Sequence, residues 1–418
     1  MAQRKKRKSL FGRIFGFFMR VLLAAMIIYF GLRIAAHFGI IDQSALQEVS
    51  ESVSETVSEH VDLPGLPSAK PVINWDTSKE GYYYAFLNED EQQVYQTILQ
   101  ACESFEFKVE LPKAVSTDTL FHAVCAVTCD YPEYYWVNTS YTYFKNAYDN
   151  VLSVEFASGG DEAQKLAEIE RMADEVLADL PATDYAAYKY LYDWVIETTD
   201  YDVSAAESGQ HLTSVFFDHR SVCAGYSKAF QYLCHKAGLK CTYVTGTAVM
   251  KDGSQGSHAW NLIRINGTYC WADVTWGDPL FEGYETTATN YNYFAVSDRF
   301  LRMEHQIDTA IASEENQTPL QVEYPVCDSD DWDWYVQNGS FFETYDAQAV
   351  KNYILWAQYA GLPRVDLKFG SPEELQNAVT DLLVNERFFS ILQESGIPCT
   401  QLSYVLFEPI GAVWILPG

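Results

Sequence analysis

Three side chains of the types that cooperate in nucleophilic acyl transfer stand in order along the middle of the chain: Cys223, His258 and Asp273. A thiol attacks carbonyl carbon poorly until it ionises. An imidazole within reach can take its proton and return it to a leaving group, while a carboxylate fixes the ring's tautomer and favours the imidazolium. Such a set opens an amide through a thioester and calls for neither a cofactor nor a metal ion. Each residue also has a plainer use: a cysteine as a small buried hydrophobe, a strand histidine as satisfied core, an aspartate as the close of a strand. The joint reading depends on local structure bringing the three together.

The stretch "HAWNLIRINGTYCWADVTW", residues 258–276, alternates apolar and polar residues around Asn266-Gly267. That pair suits a two-residue type I′ turn, which needs positive φ at both positions, so the pattern predicts a hairpin. With Ile265 opposite Thr268, continuing the register sets Trp260 opposite Asp273 and His258 opposite Thr275. His258 and Asp273 then become diagonal neighbours on one face, with Cβ atoms about 7–8 Å apart, within reach of a side-chain hydrogen bond. Upstream, "RSVCAGYSKAFQYLCHKAGLK", residues 220–240, carries apolar residues at helical spacing and Gly238 as a stop. This places Cys223 at a helix start, where the positive end of the dipole favours a thiolate and the backbone N–H can face an oxyanion. Trp194, Trp260 and Trp276 are read as core or cleft wall.

"SVCAGYSKAF", "HAWN" and "DVTWGDP" together resemble the three signature blocks of the transglutaminase-like superfamily, over roughly residues 185–300. The resemblance implies an α+β, papain-like core, in which a helix bearing the cysteine packs on an antiparallel sheet bearing the histidine and aspartate. It implies Cys223 as nucleophile, His258 as general base and acid, and Asp273 as its orienting partner, acting on a peptide or protein amide. Water would resolve the thioester in a protease or amidase, and a primary amine in a cross-linking enzyme. One departure is Ser221, where a glycine is common. A non-enzymatic binding or scaffold protein built on the same module is the alternative, which loss of a triad residue would favour; all three are present.

Charge narrows the partners. Residues 1–41 hold eight Lys or Arg and no acid, leaving 20 basic against 57 acidic side chains in the remainder. Such a surface repels phosphate backbones, so nucleic acid is not expected as a partner. The uncharged run Val21 to Leu32, flanked by Arg20 and Arg33, reads as a short signal anchor. The basic residues before it keep the N-terminus inside and send an extracytoplasmic ectodomain outward, or release a secreted protein if the segment is cleaved; an interfacial helix is the third reading. Nine cysteines in an exported chain allow four disulfides and a free thiol, with buried unpaired thiols as the default.

The expected organisation is a basic N-terminus and membrane helix over 1–41, a Ser- and Glu-rich stalk over 42–70, and an α+β unit over 71–160. The catalytic domain follows over 161–310, then a linker over 311–330 and a small α/β module over 331–418. Two helices separated near Leu180-Pro181 open the catalytic domain, and "KDGSQGS", residues 251–257, forms a loop before His258. In the last module, "RVDLKF", "QLSYVLFE" and "AVWILP" read as strands. "SPEELQNAVTDLLVNERFFSIL" reads as one helix with Ser371 as cap and Glu374 completing a capping box. This module is expected to position substrate or contact a partner.

Overall fold

The computed structural model describes residues 81–138, 140–205, 208–249, 253–278, 289–313 and 318–418. They lie within one compact unit, Ile73–Gly418. The expected membrane helix, the stalk and the first residues of the α+β unit fall outside the described residues. Among the described residues no helix is long and apolar enough to cross a membrane.

After a 3-10 turn at Tyr83–Phe86, the described residues form α1 (Glu89–Glu103), β1 (Lys108–Val115), α2 (Thr117–Asp130), β2 (Tyr141–Lys145) and β3 (Val151–Phe156). Asn88 starts α1 with a closed capping box to Glu91, and Ser116 caps α2. The three strands form a sheet in the order β1-β3-β2. The aromatic stretch "YYWVN", residues 134–138, forms turns that bury Trp136 and Val137, and β2 starts at Tyr141.

Next come α3 (Glu162–Leu177) and α4 (Asp184–Thr198), separated where expected, then the short parallel pair β4 (Asp200–Tyr201) and β5 (Arg220–Ser221) and the helix α5 (Cys223–Lys236). Gly238 follows α5 with φ +75°, the left-handed stop. The strands β6 (Cys241–Val249), β7 (Gln255–Ile265), β8 (Thr268–Ala272) and β9 (Phe294–Val296) follow; a short helix α6 (Asp298–Leu301) then leads to β10 (His305–Ile307). These five strands make an antiparallel sheet in the order β10-β6-β7-β8-β9. One set of sheet residues, including Ile263, Ile265 and Cys270, shares a core with α3, α4 and α5. Trp260, Leu262 and Trp271 share another with α1, α2 and β3. The period of two in β7 thus sends alternate side chains to different cores.

The segment expected as a loose linker packs against its neighbours. After β11 (Ala310–Ile311) and β12 (Leu320–Gln321), the Glu323 carbonyl accepts from Tyr82 Oη at 2.6 Å and Tyr324 Oη lies 2.8 Å from Tyr83 Oη. All nine cysteines are unpaired in the structure.

The C-terminal part contains α7 (Trp334–Gln337), β13 (Phe341–Phe342), α8 (Ala347–Tyr359), β14 (Val365–Phe369), α9 (Pro372–Val379), α10 (Arg387–Glu394), β15 (Leu402–Phe407) and β16 (Ala412–Pro417). The strands lie in the order β13-β14-β16-β15, and only β13 and β14 run parallel. Helix α8 has no counterpart in the sequence reading. The single helix expected after Ser371 is two, because Glu386 takes φ +57° and breaks the run. Ser371 caps α9 as expected, but Glu374 accepts from Tyr345 N at 2.6 Å, so the box stays open.

Lys368 of β14 reaches Asp333, just before α7, at 2.6 Å with both side chains fully buried, and its Nζ sits 3.6 Å from the Phe300 ring centroid. Burial pulls the lysine pKa down and pushes the aspartate up despite their pairing. Desolvation therefore opposes both charges, and the pair fixes the packing more than it stabilises the fold. Lys368→Met alone should destabilise by about 3–5 kcal/mol, because it strands Asp333. Adding Asp333→Asn, which keeps the Oδ1 cap on Tyr335 N, should recover most of that loss in urea unfolding. Equal stabilities for the single and double variants would contradict this assignment.

Candidate active site

The hairpin turn is as the residues predict: Asn266 and Gly267 have φ +48° and +89°, and the ladder pairs Ile265 with Thr268 through Asn261 with Ala272. It then ends earlier than the extended register assumed. Asp273 is the first residue past β8, and Trp276 N donates to its Oδ1 at 3.1 Å as the chain curls into turns. Its backbone is held at both ends: Asp273 N donates to Tyr293 O at 2.9 Å and its carbonyl accepts from Tyr192 Oη at 3.0 Å. The expected contact forms nonetheless. His258 Nε2 lies 2.7 Å from Asp273 Oδ2, with both side chains buried.

Cys223 is the first residue of α5, partly exposed, and follows Val222, whose side chain makes no capping bond. Its sulfur hydrogen bonds to His258. Since Nε2 is turned to Asp273, Nδ1 is the ring atom left for the thiol. The three predicted residues therefore meet in one chain of contacts, sulfur to imidazole to carboxylate. Helix and sheet are tied beside it: Ser227 Oγ donates to Ala259 O at 3.0 Å and Asn261 Nδ2 to Ser227 O at 3.0 Å. Ser221, the departure from the family pattern, is buried with its Oγ 2.7 Å from Ser214 Oγ and 3.1 Å from Gly209 O.

Burial on its own disfavours a charged His258, but the Asp273 charge, their hydrogen bond and the Cys223 sulfur outweigh it and raise its pKa to about 10. Burial likewise works against an ionised Asp273, and two imidazoles overcome it, holding the carboxyl well below the usual carboxylate range. The second imidazole was not anticipated. His305 Nε2 lies 3.0 Å from the same Oδ2. No local pattern in "RMEH" announces it, because it arrives on β10, which pairs with β6 on the far side of β7. Lys228 was also missed: buried on α5, it donates to Gln210 O at 3.1 Å and lies 5.4 Å from the Tyr243 ring centroid. Of the three tryptophans, Trp276 and Trp260 flank His258, with ring centroids at 5.6 and 5.8 Å. Trp194 instead packs on Phe216 in the helical core. The loop expected before His258 is shorter than read, since β7 starts at Gln255; residues 250–252 lie outside the described residues.

His258, Asp273 and His305 present donor atoms within 4.8 Å of one another. The 2.7 and 3.0 Å separations are those of hydrogen bonds, so a cation could enter only by replacing their protons.

Residues 171–275 match the model of the transglutaminase-like superfamily, so this part of the chain carries a transglutaminase-like domain. Human kyphoscoliosis peptidase is 26% identical over 136 residues, covering 29% of this chain and 21% of that protein. The chain thus spans about a fifth of that curated relative. Among solved structures, a TGase has a TM-score of 0.27 at 14% identity, covering 46% of this chain and 57% of its own. A candidate cysteine protease from Cytophaga hutchinsonii has a TM-score of 0.24 at 14% identity, covering 36% and 66%.

The raised His258 pKa has a consequence for stability. Its folded value exceeds the unfolded one, so its contribution is complete below about 6.5 and is lost as pH rises through about 10. Asp273 has the opposite sense: its contribution is present above about pH 4 and fades as pH falls. Urea unfolding between about pH 7 and about pH 10.5 should therefore show a larger loss of stability in the wild type than in His258→Gln. Parallel losses in the two proteins would contradict the pairing.

Proposed function

We propose that this chain is a cysteine-dependent acyl-transfer enzyme acting on peptide or protein amides outside the cytoplasm, held to a membrane by residues 1–41. The observation that carries the reading is the contact of His258 with both Cys223 and Asp273. A buried imidazole kept protonated opposite a partly exposed thiol at a helix start favours the ion pair over the neutral pair.

In the proposed cycle the Cys223 thiolate attacks the amide carbonyl carbon, and electrons move to the oxygen to give a tetrahedral intermediate. The backbone N–H at the start of α5 faces that oxyanion. The intermediate collapses by breaking the C–N bond as His258 gives its proton to the departing amine, leaving a thioester on Cys223. Water then adds with His258 taking its proton, and the second collapse releases the acid and restores the thiolate and imidazolium. A primary amine in place of water would leave a new amide. Hydrolysis is the favoured outcome, since an acceptor amine would have to outcompete bulk water for the thioester. Asp273 stays ionised and oriented throughout. We place the catalytic region at 161–310, with 71–160 and 331–418 flanking it.

Iodoacetamide should label Cys223 ahead of the other eight cysteines, and His258→Ala should slow labelling by about 100-fold or more. Incubating the protein with a peptide library, with and without a primary amine, should yield products carrying the mass of added water. Equal labelling in wild type and variant, with no product, would leave a binding module in place of an enzyme.

A further inference from the structure

The Asp273 carboxylate serves two imidazoles through one oxygen. His258 Nε2 reaches Oδ2 at 2.7 Å and His305 Nε2 at 3.0 Å, while Oδ1 takes the Trp276 N–H at 3.1 Å. A carboxylate oxygen only accepts, so each Nε2 must carry a proton. Geometry thus puts a proton on His305 Nε2. Its other nitrogen, Nδ1, lies 3.2 Å from the Leu301 carbonyl, a second acceptor, so this contact favours a proton on Nδ1 too, against the burial that opposes a charged ring.

The surroundings are built for this ring. The His305 side chain is fully buried, and Trp276, Trp260 and Tyr293 enclose it with ring centroids 4.5, 5.0 and 5.0 Å away. Strand β10 can approach because Gly246 stands on β6: a Cβ there would meet Gln306 O at 2.1 Å and Trp260 Cη2 at 2.5 Å. The same Gly246 is the register partner of His258. Among the described residues, the groups that titrate or carry charge around His305 are Asp273 after β8, His258 on β7, and Tyr293 before β9, whose hydroxyl is engaged by Glu304.

We propose that His305 is a positioning residue for the acyl-transfer reaction: its Nε2–H donates to Asp273 Oδ2, keeping that carboxylate ionised and aimed at His258 while the latter gains and loses its proton. This rests on the function proposed above and extends its triad by one member. A donor that binds the anionic form lowers the proton affinity of a carboxylate, and one on a separate strand also restricts where the oxygen can move. When His258 becomes neutral after protonating the leaving amine, Asp273 loses a cationic neighbour inside a buried site. The His258 Nε2–H still donates, and His305 adds a second side-chain donor that stabilises the charge. Burial keeps His305 itself below the ordinary histidine range, and in either protonation state its Nε2–H is what it offers Asp273.

The test uses the full chain with His305→Phe, His305→Gln and His305→Asn. The glutamine amide can reach towards Oδ2; the shorter asparagine amide stops near the Nδ1 position and serves if the phenylalanine variant does not fold. Carbon-13 NMR of the Asp273 carboxyl should show its midpoint rising by about one pH unit or more in His305→Phe or His305→Asn. In His305→Gln it should stay nearer the wild type. Alkylation of Cys223 by iodoacetamide should slow by about 10- to 100-fold in the first two variants and recover partly in the glutamine variant. A carboxyl midpoint unchanged in all three, with only the melting temperature lowered, would overturn the assignment and leave His305 as packing. If wild-type alkylation proves independent of His258, the acyl-transfer reading fails, while the carboxyl midpoint still decides whether His305 acts on Asp273.

Discussion

A fully buried, ionised carboxylate organises the centre of this molecule. An isolated carboxylate in an apolar interior loses far more hydration than any single contact returns, so it persists as an anion only where its lone pairs meet donors. Asp273 meets His258, His305 and the Trp276 N–H, and its main chain is tied to Tyr293 and Tyr192. Those partners come from β7, the edge strand β10, the turn after β8, the segment before β9 and helix α4. These elements therefore converge on one residue, and the charge of its side chain is what allows a buried His258 to stay protonated beside Cys223.

Much of this was legible in residue order. Asn266-Gly267 fixed the turn, the turn fixed the pairing of β7 with β8, and that pairing carried His258 towards Asp273. The reasoning reached the correct contact through a ladder longer than the real one. Strand β8 stops at Ala272, and the aspartate is delivered by a turn that its own Oδ1 helps to close. The start of α5 at Cys223 was equally readable, since helical spacing and Gly238 bracket it. His305 was not. It lies 32 residues past Asp273 and reaches the site by a crossover to the opposite edge of the sheet, and a crossover leaves no periodic trace. The C-terminal helix misread as continuous shows a similar limit: the break rests on Glu386 in a left-handed conformation that its residue type does not announce.

The flanking parts bear on how the site is held. Trp260 and Trp271 of the central sheet share a core with Val94, Val124 and Val154 of the N-terminal unit, and Gln231 of α5 donates to Cys129 O on α2 at 2.8 Å. The nucleophile helix is thus tied to α2 as well as to its own sheet. Residues 318–324 lie along the same unit, with the Thr318 carbonyl 2.9 Å from His122 Nε2 and the Glu323 carbonyl on Tyr82. What reads as linker composition is in fact packed chain, because backbone carbonyls and two tyrosine hydroxyls supply contacts that hydropathy does not register.

The central claim is that the Asp273 charge keeps the His258 ring protonated while it faces the Cys223 sulfur. Nitrogen-15 NMR of the histidine rings, followed with pH in the full-length protein, measures this directly. At mildly alkaline pH both ring nitrogens of His258 should carry protons, with the Nε2 proton displaced far downfield by its bond to the carboxylate. A His258 ring that is neutral there, with one bare nitrogen, would contradict the account.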